Sequence, residues 1–228
     1  MPPKPYYQQD GITIYHGDCR DIMPYLDPVD LILTDPPYLH QYLWSYDIAG
    51  QAAMELLRPG CFLYAYCGAI HLPTIFFTFA NYPNLKWFWL FHIRLMGSNG
   101  RIWNKHLFQM TKDVVCYTKG EPSLDRLTWC ASDTTTCDQP SKKYHPWEQG
   151  ILFPKKAIHT RTTRGEIVMD PFMGTGTTLR AAKDLGRKAI GIEIEEKHCQ
   201  YAAERMGQMV FPNEYTKKEG GGNNNGRF

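Results

Sequence analysis

The 228-residue chain has no paired-cysteine signature, no secretory leader, no unbroken apolar run and little net charge. Each lack excludes something. Its seven cysteines, Cys19, Cys61, Cys67, Cys116, Cys130, Cys137 and Cys199, include no C-x-x-C pair. An odd number in a chain without a secretory signal points to reduced thiols in a cytoplasm, not to a disulfide framework. Cys130, Cys137 and His145 match no common zinc spacing, so no metal is expected. The start, Met1-Pro2-Pro3-Lys4-Pro5, lacks the pattern of a signal peptide. The most apolar stretch, 62–82, is interrupted by Gly68, His71, Pro73 and Asn81. It reads as a buried strand and a helix, not as a membrane span. A net charge of +2 with pI 8.1 falls short of the strongly basic balance, above about 9, of a dedicated nucleic-acid-binding domain. There is no internal repeat.

A further lack lies in a glycine loop. Gly174-x-Gly176 has Leu179 where a dinucleotide fingerprint needs its third glycine, and no Gly-Lys-Ser/Thr ending follows. NAD-type pyrophosphates and nucleoside triphosphates are thereby disfavoured. What surrounds the loop is informative. Residues 166–170 read as a buried strand, 171–178 as the loop, 179–185 as a helix, and 187–193 as a second strand ending in Glu193. That order is the layout of a nucleoside-binding βαβ unit. Glu193 stands 19 residues after Gly174, where a ribose-binding carboxylate is expected. The loop fits a nucleoside ligand without a pyrophosphate.

The apolar run 29–34 ends in Asp35-Pro36-Pro37-Tyr38. Such a turn presents a carboxylate, a rigid pair of carbonyls and an aromatic face at one edge of a sheet. The prolines fix φ and remove two donors, leaving acceptors. Asp35 and the Pro36 carbonyl can grip the two hydrogens of an exocyclic amino group, and Tyr38 can stack on the ring that bears it. On pattern grounds alone the string also suits a plain strand-ending turn.

A coarse reading of the rest supports one sheet. Strands are expected at 12–15, 29–34, 61–66, 86–93 and 113–117, the last two paired antiparallel. Helices are expected at 21–26, 48–57, 72–80, 147–163 and 195–209. Pro59-Gly60 should stop the second helix, and Pro154 should disturb the fourth. Residues 96–101 read as a mobile glycine-rich loop, and 213–228 as a disordered tail. Alternating strands and helices give an α/β, doubly wound, mostly parallel sheet with helices on both faces. Ligands bind such sheets beyond the carboxyl ends of the strands. Asp18, Asp35, Asp170 and Glu193 each follow or end an expected strand, so the fold should bring these distant acids to one edge.

Taken together, these motifs resemble the amino-group DNA methyltransferases that use S-adenosylmethionine (N6-adenine and N4-cytosine enzymes), in the permuted, beta-type order. The resemblance rests on Asp35-Pro36-Pro37-Tyr38, Asp170-Pro171-Phe172-Met173-Gly174-Thr175-Gly176-Thr177-Thr178 and Gly191-Ile192-Glu193-Ile194-Glu195. It extends to Gly17-Asp18-Cys19-Arg20-Asp21 and His145-Pro146-Trp147-Glu148-Gln149, and covers residues 12 to 206. It implies a Rossmann-like methyltransferase domain over 1–212 with a short target-recognition insert at about 120–144. Asp35, Pro36, Pro37 and Tyr38 would be catalytic. Asp18, Asp170, Phe172, Gly174, Gly176, Thr177 and Glu193 would hold the cofactor, with Asp18 at the adenine and Glu193 at the ribose. Asp21 and Glu195 compete for those two roles.

The resemblance also implies double-stranded DNA as partner and no membrane, with a homodimer or a separate specificity subunit left open. The setting would be the cytoplasm of a bacterium, the gene bacterial or phage-borne. Asp in first place of the catalytic motif favours adenine N6. N4-cytosine methylation, RNA adenine methylation and a non-catalytic nucleic-acid-binding partner remain alternatives. Lys142, Lys143 and Arg101 are candidate nucleic-acid contacts, within a basic region that includes Lys155, Lys156, Arg161 and Arg164. Trp44, Trp103 and Trp147 could line a DNA groove or fill the core.

Overall fold

The computed structural model describes residues 3–37, 40–95, 105–124, 132–137 and 150–208, and of 100–102 the backbone alone. The elements run β1 (Tyr7–Gln9), β2 (Ile12–His16), α1 (Cys19–Ile22), β3 (Val29–Thr34), α2 (Trp44–Leu56), β4 (Leu57–Cys67), α3 (Leu72–Ala80) and β5 (Leu85–Arg94). They continue with β6 (Gly100–Ile102), β7 (Leu107–Gln109), β8 (Thr111–Lys119), β9 (Thr134–Thr136), α4 (Leu152–Arg161), β10 (Ile167–Asp170), α5 (Thr177–Asp184), β11 (Lys188–Glu193) and α6 (Glu196–Met206). Nine strands form one sheet in the order β1-β2-β11-β10-β3-β4-β8-β5-β9. From β2 to β4 neighbouring strands are parallel. Strand β8 joins antiparallel to both β4 and β5.

All six residues of β3 are buried, as a central strand covered on both faces requires. Leu31 and Leu33 pack into a core with Phe153 and Ile158 of α4, Leu179 of α5 and Ala202 of α6. Ile32 faces the opposite core with Ile22 of α1, Ala53 of α2 and Phe79 of α3. The sheet is therefore doubly wound. Asp30 is buried in β3, and its carboxylate is satisfied by Arg58 at 2.7 Å and the backbone N–H of Ile167 at 2.9 Å. The first bond ties β4 to β3, and the second ties the start of β10 to it.

The winding direction creates the crevice. From β3 the chain moves through α2 to β4 on one side. From β10 it moves through α5 to β11 on the other side, over the opposite face. The connections diverge between β3 and β10, the switch point where ligands bind in open α/β sheets.

Three local expectations need correction. Helix α2 ends at Leu56, and Pro59-Gly60 lie inside β4. The register slips there, from Val29 opposite Leu57 to Leu31 opposite Phe62, so the pair forms a bulge instead of a helix stop. Pro154 falls in the first turn of α4, where its missing N–H has no helical partner to lose. Of the expected loop 96–101, residues 96–99 lie outside the described residues. Gly100–Ile102 instead pair antiparallel with Leu107–Gln109. The tail 213–228 and the larger part of the insert 120–144 also lie outside the described residues.

Candidate active site

The register of the sheet brings the four acids together. Strands β2, β11, β10 and β3 are consecutive neighbours. Glu193 lies opposite His16, two residues before Asp18, and Asp170 lies opposite Gly191. Asp35 directly follows Thr34 at the end of β3. Across the carboxyl edge the acids therefore run Asp18, Glu193, Asp170, Asp35. A cavity of about 460 Å³ opens there, lined by Asp35, Pro36, Asp170, Phe172, Thr177 and Glu193 among others. A second, of about 310 Å³, is bordered by Asp18, Trp44, Phe172 and Ile194. Both share Pro37, Phe172, Glu193 and Ile194. The volumes lie at the lower end of the range for small-molecule sites.

Each acid is held differently. The Glu193 carboxylate accepts from the backbone N–H of Gly174 through Oε2 and from that of Glu195 through Oε1, both at 2.9 Å. The acid thus clamps the glycine loop against the start of α6. A carboxylate has about four lone-pair sites, so two such bonds leave acceptor capacity for hydroxyls. Asp170 is buried, and its Oδ1 accepts from Thr34 Oγ1 at 2.8 Å and from the Phe172 N–H at 3.1 Å. Burial pushes its carboxyl up to about 7 against the pull of those bonds. Asp35 is half-buried and pairs with Lys112 Nζ, 3.1 Å from Oδ2 and 3.3 Å from Oδ1.

Asp18 caps α1, accepting from the Arg20 N–H at 2.9 Å, and its carboxylate also takes the Arg20 guanidinium at 3.0 Å from Oδ1. That side-chain contact holds its carboxyl below the usual range. Asp18 therefore borders the smaller cavity with its oxygens already engaged. Asp21 is exposed one turn on, and Glu195 is exposed at the rim.

The glycines separate in role. Gly174 has φ +51, lines the larger cavity, and a Cβ there would meet nothing within 4 Å. Gly176, expected to open the backbone to a ligand, instead meets α6. At φ +78, its Cβ would stand 3.0 Å from Ala202 Cβ. Its need for glycine comes from left-handed backbone and a close helix approach. Phe172 does two things: it packs partly against the α1–α3 core and lines both cavities.

Three described members of the basic region are turned inward. Lys155 pairs with Asp184 at 2.7 Å, and Lys156 donates to Thr135 Oγ1 at 3.0 Å. Arg161 lies over the Phe62 ring, 4.4 Å from its centroid, and donates to Tyr64 Oη at 2.8 Å. These three serve packing, whereas Arg164 is exposed. Trp44 is 48% exposed beside the smaller cavity. Tyr38, Lys142, Lys143, Trp103 and the stretch 145–149 lie outside the described residues, as does the side chain of Arg101.

Sequence reading missed Lys112, Thr34, Tyr66 and His198. The signal for Lys112 was present: it falls two residues before Val114 and four before Cys116, on the inward side of a buried strand. Among the described residues no cluster of three His, Cys, Asp or Glu side chains suits a metal. No helix among them is long and apolar enough to cross a membrane.

A mostly parallel sheet whose carboxyl edge offers a nucleoside-sized cavity and a Pro-Pro turn with its acid places the chain among the Rossmann-like α/β folds. The family follows from comparison: a sequence model described as DNA methylase, for N6- and N4-directed enzymes, matches residues 81–204. The chain belongs to this amino-group DNA methylase family. The matched stretch contains the glycine loop and Glu193 and begins after Asp35. The type II methyltransferase M.HinfI of Haemophilus influenzae is 37% identical over 95 residues, 42% of this chain and 26% of that protein. The type II methyltransferase M.HpaI of Haemophilus parainfluenzae is 24% identical over 220 residues, covering 78% of this chain and 68% of that protein. The chain thus spans about a quarter of the first relative's length and two thirds of the second's. The solved complex of M1.HpyAVI with SAM shares the fold, with TM-score 0.72 and 24% identity over 86% of this chain and 100% of that one.

Proposed function

We propose that this chain, as one domain over residues 1–212, transfers a methyl group from S-adenosylmethionine to the exocyclic amino group of a base in double-stranded DNA, adenine N6. The observation that carries the reading is the placement of Asp35 and Glu193 at one edge, two strands apart, around connected cavities. The residues fit the cofactor. Glu193 keeps acceptor capacity for two ribose hydroxyls, and Phe172 and Ile194 give the smaller cavity apolar walls for adenine. The loop offers no lysine for a pyrophosphate. When bound, the cofactor supplies an electrophilic methyl group on a sulfonium.

The chain's own residues do the rest. A base inside a duplex cannot present its amino group to an enclosed site, so it must leave the stack. Asp35 and the Pro36 carbonyl accept the two amino hydrogens, which favours a pyramidal nitrogen with its lone pair available. Tyr38 stacks on the ring, a contact of about 1–3 kcal/mol by analogy with single-strand binders. The effects are positioning and electrostatics at a nitrogen that gains positive charge. Asp35 accepts the surplus proton after the N–C bond has formed. The setting is a bacterial cytoplasm, with a second subunit or a separate specificity protein helping to hold the DNA.

The test is label transfer from S-adenosylmethionine into a mixture of duplex DNA and RNA, followed by nucleoside analysis. Label in N6-methyl-2′-deoxyadenosine from the DNA is expected. Label confined to RNA would overturn the DNA reading, and label on cytosine N4 would overturn the choice of base.

A further inference from the structure

Lys112 occupies a place where strand parity calls for an apolar side chain. Val114 and Cys116, two and four residues further along β8, are fully buried in the core beneath α4, α5 and α6. The β3–β4 register sets Thr34 opposite Ala65, so Asp35 follows beside Tyr66. The β4–β8 register sets Cys67 opposite Asp113, one residue beyond Lys112. The lysine therefore reaches back over Tyr66. Its Nζ lies 4.5 Å from the Tyr66 ring centroid and meets both Asp35 oxygens, at 3.1 and 3.3 Å. Only 14% of the Lys112 side chain is exposed. A buried ammonium is costly even when paired, and apolar replacements of buried ion pairs are often neutral or stabilising. Scaffold stability alone therefore does not account for a charge here.

We propose that Lys112 is a positioning residue for amino-group methylation, fixing the Asp35 carboxylate in place and in its acceptor-only form for the target amino group. This rests on the reading of the site as a methyl-transfer centre. A carboxylate offers about four acceptor sites, and the ammonium engages both oxygens. A charge-assisted pair with both oxygens restricts rotation of the carboxylate. Described groups that face Asp35 include Lys112 from β8, Asp170 from β10, Tyr66 and Cys67 from β4, and Tyr46 from α2. Lys112 itself faces Asp35, Cys67 and Cys137, and burial lowers its affinity for the proton. Removing Lys112 takes a positive charge away from both Asp35 oxygens. Protonation of Asp35, which would convert an acceptor oxygen into a donor, would then become easier.

The experiment compares wild type, Lys112→Met and Lys112→Arg. The probe is plasmid DNA from a methylation-free host with methyl-labelled S-adenosylmethionine, read as single-turnover rates from pH 5 to 9. Affinity for S-adenosylhomocysteine and thermal melting are measured alongside. Lys112→Met should slow transfer roughly 10- to 100-fold and leave product affinity within about twofold. Its acid limb should move to higher pH, and Lys112→Arg should restore part of the rate and the wild-type limb. Lys112→Met with wild-type rate and profile would overturn the inference alone. Equal loss of melting transition and product affinity in both variants, with the profile unmoved, would assign Lys112 to the scaffold and overturn it too. A wild type that transfers no label would overturn the parent reading and this inference with it.

Discussion

Replacing Glu193 by alanine removes a clamp and should remove the proposed ribose contact with it. Oε2 and Oε1 each take a backbone N–H at 2.9 Å, from Gly174 and Glu195. The Glu195 donor is exposed and the Gly174 donor is part-buried beside the cavity, within reach of water, so the fold should lose only about 1 kcal/mol. The ligand loses more. A hydrogen bond to a charged acceptor is worth about 1.5–3 kcal/mol, and 1.4 kcal/mol is tenfold in affinity, so Kd should rise about 10- to 150-fold. Glu193→Gln is informative because it is not silent. The amide keeps one acceptor oxygen, and its NH2 must face one of two N–H donors, so it should resemble alanine more than wild type. Calorimetry with S-adenosylhomocysteine reads the affinity, NAD serves as the non-binding control, and a denaturant melt reads stability. Alanine binding within about threefold of wild type would refute the assignment of Glu193 to the ribose. Tight NAD binding without binding of S-adenosylhomocysteine would refute the cofactor reading as a whole.

Other outcomes follow from the same geometry. Gly176→Ala should destabilise the fold by about 1–3 kcal/mol, from left-handed backbone and the approach to 3.0 Å from Ala202. Gly174→Ala, with open space at its Cβ, should weaken S-adenosylhomocysteine binding more than stability; the reverse ranking in melts and calorimetry would contradict the division. Asp170 has its carboxyl raised to about 7, so the folded state holds a proton that the unfolded state releases near 3.8. Its contribution is full below that lower value and is lost as pH rises through about 7. The melting temperature of wild type should therefore fall relative to Asp170→Asn between pH 4 and 8, and a constant difference would count against the burial. Lys142→Ala with Lys143→Ala should weaken DNA binding about equally on all sequences and reduce the salt slope by about 0.9 for each phosphate that is no longer neutralised; an unchanged slope would remove them from the interface.

The parts of the fold that were legible in the sequence are those where local pattern and tertiary demand agree. The run 29–34 is apolar because β3 is covered on both faces, and the acids stand at or just beyond strand ends that the fold gathers at one edge. Gly174 and Glu193 were legible through spacing, and their clamp is the physical reason for it. What stayed hidden depends on partners distant in sequence. The approach of Ala202 to Gly176 belongs to α6, and the inward turn of Lys155 and Arg161 belongs to Asp184 and Phe62. Pro59-Gly60 reads as a helix stop locally, yet the bulge answers to the pairing of β4 with β3. Lys112 could have been found by asking why a lysine breaks an inward apolar series.

The most direct measurement is mass spectrometry of nucleosides from one plasmid, grown in a methylation-free host that expresses either wild type or Asp35→Ala. Wild type should yield N6-methyladenine in the DNA. Asp35→Ala should yield none, while the purified variant binds S-adenosylhomocysteine as wild type does. No modified base with wild type, or N6-methyladenine persisting with Asp35→Ala, would contradict the assignment of this edge as an amino-methylating site.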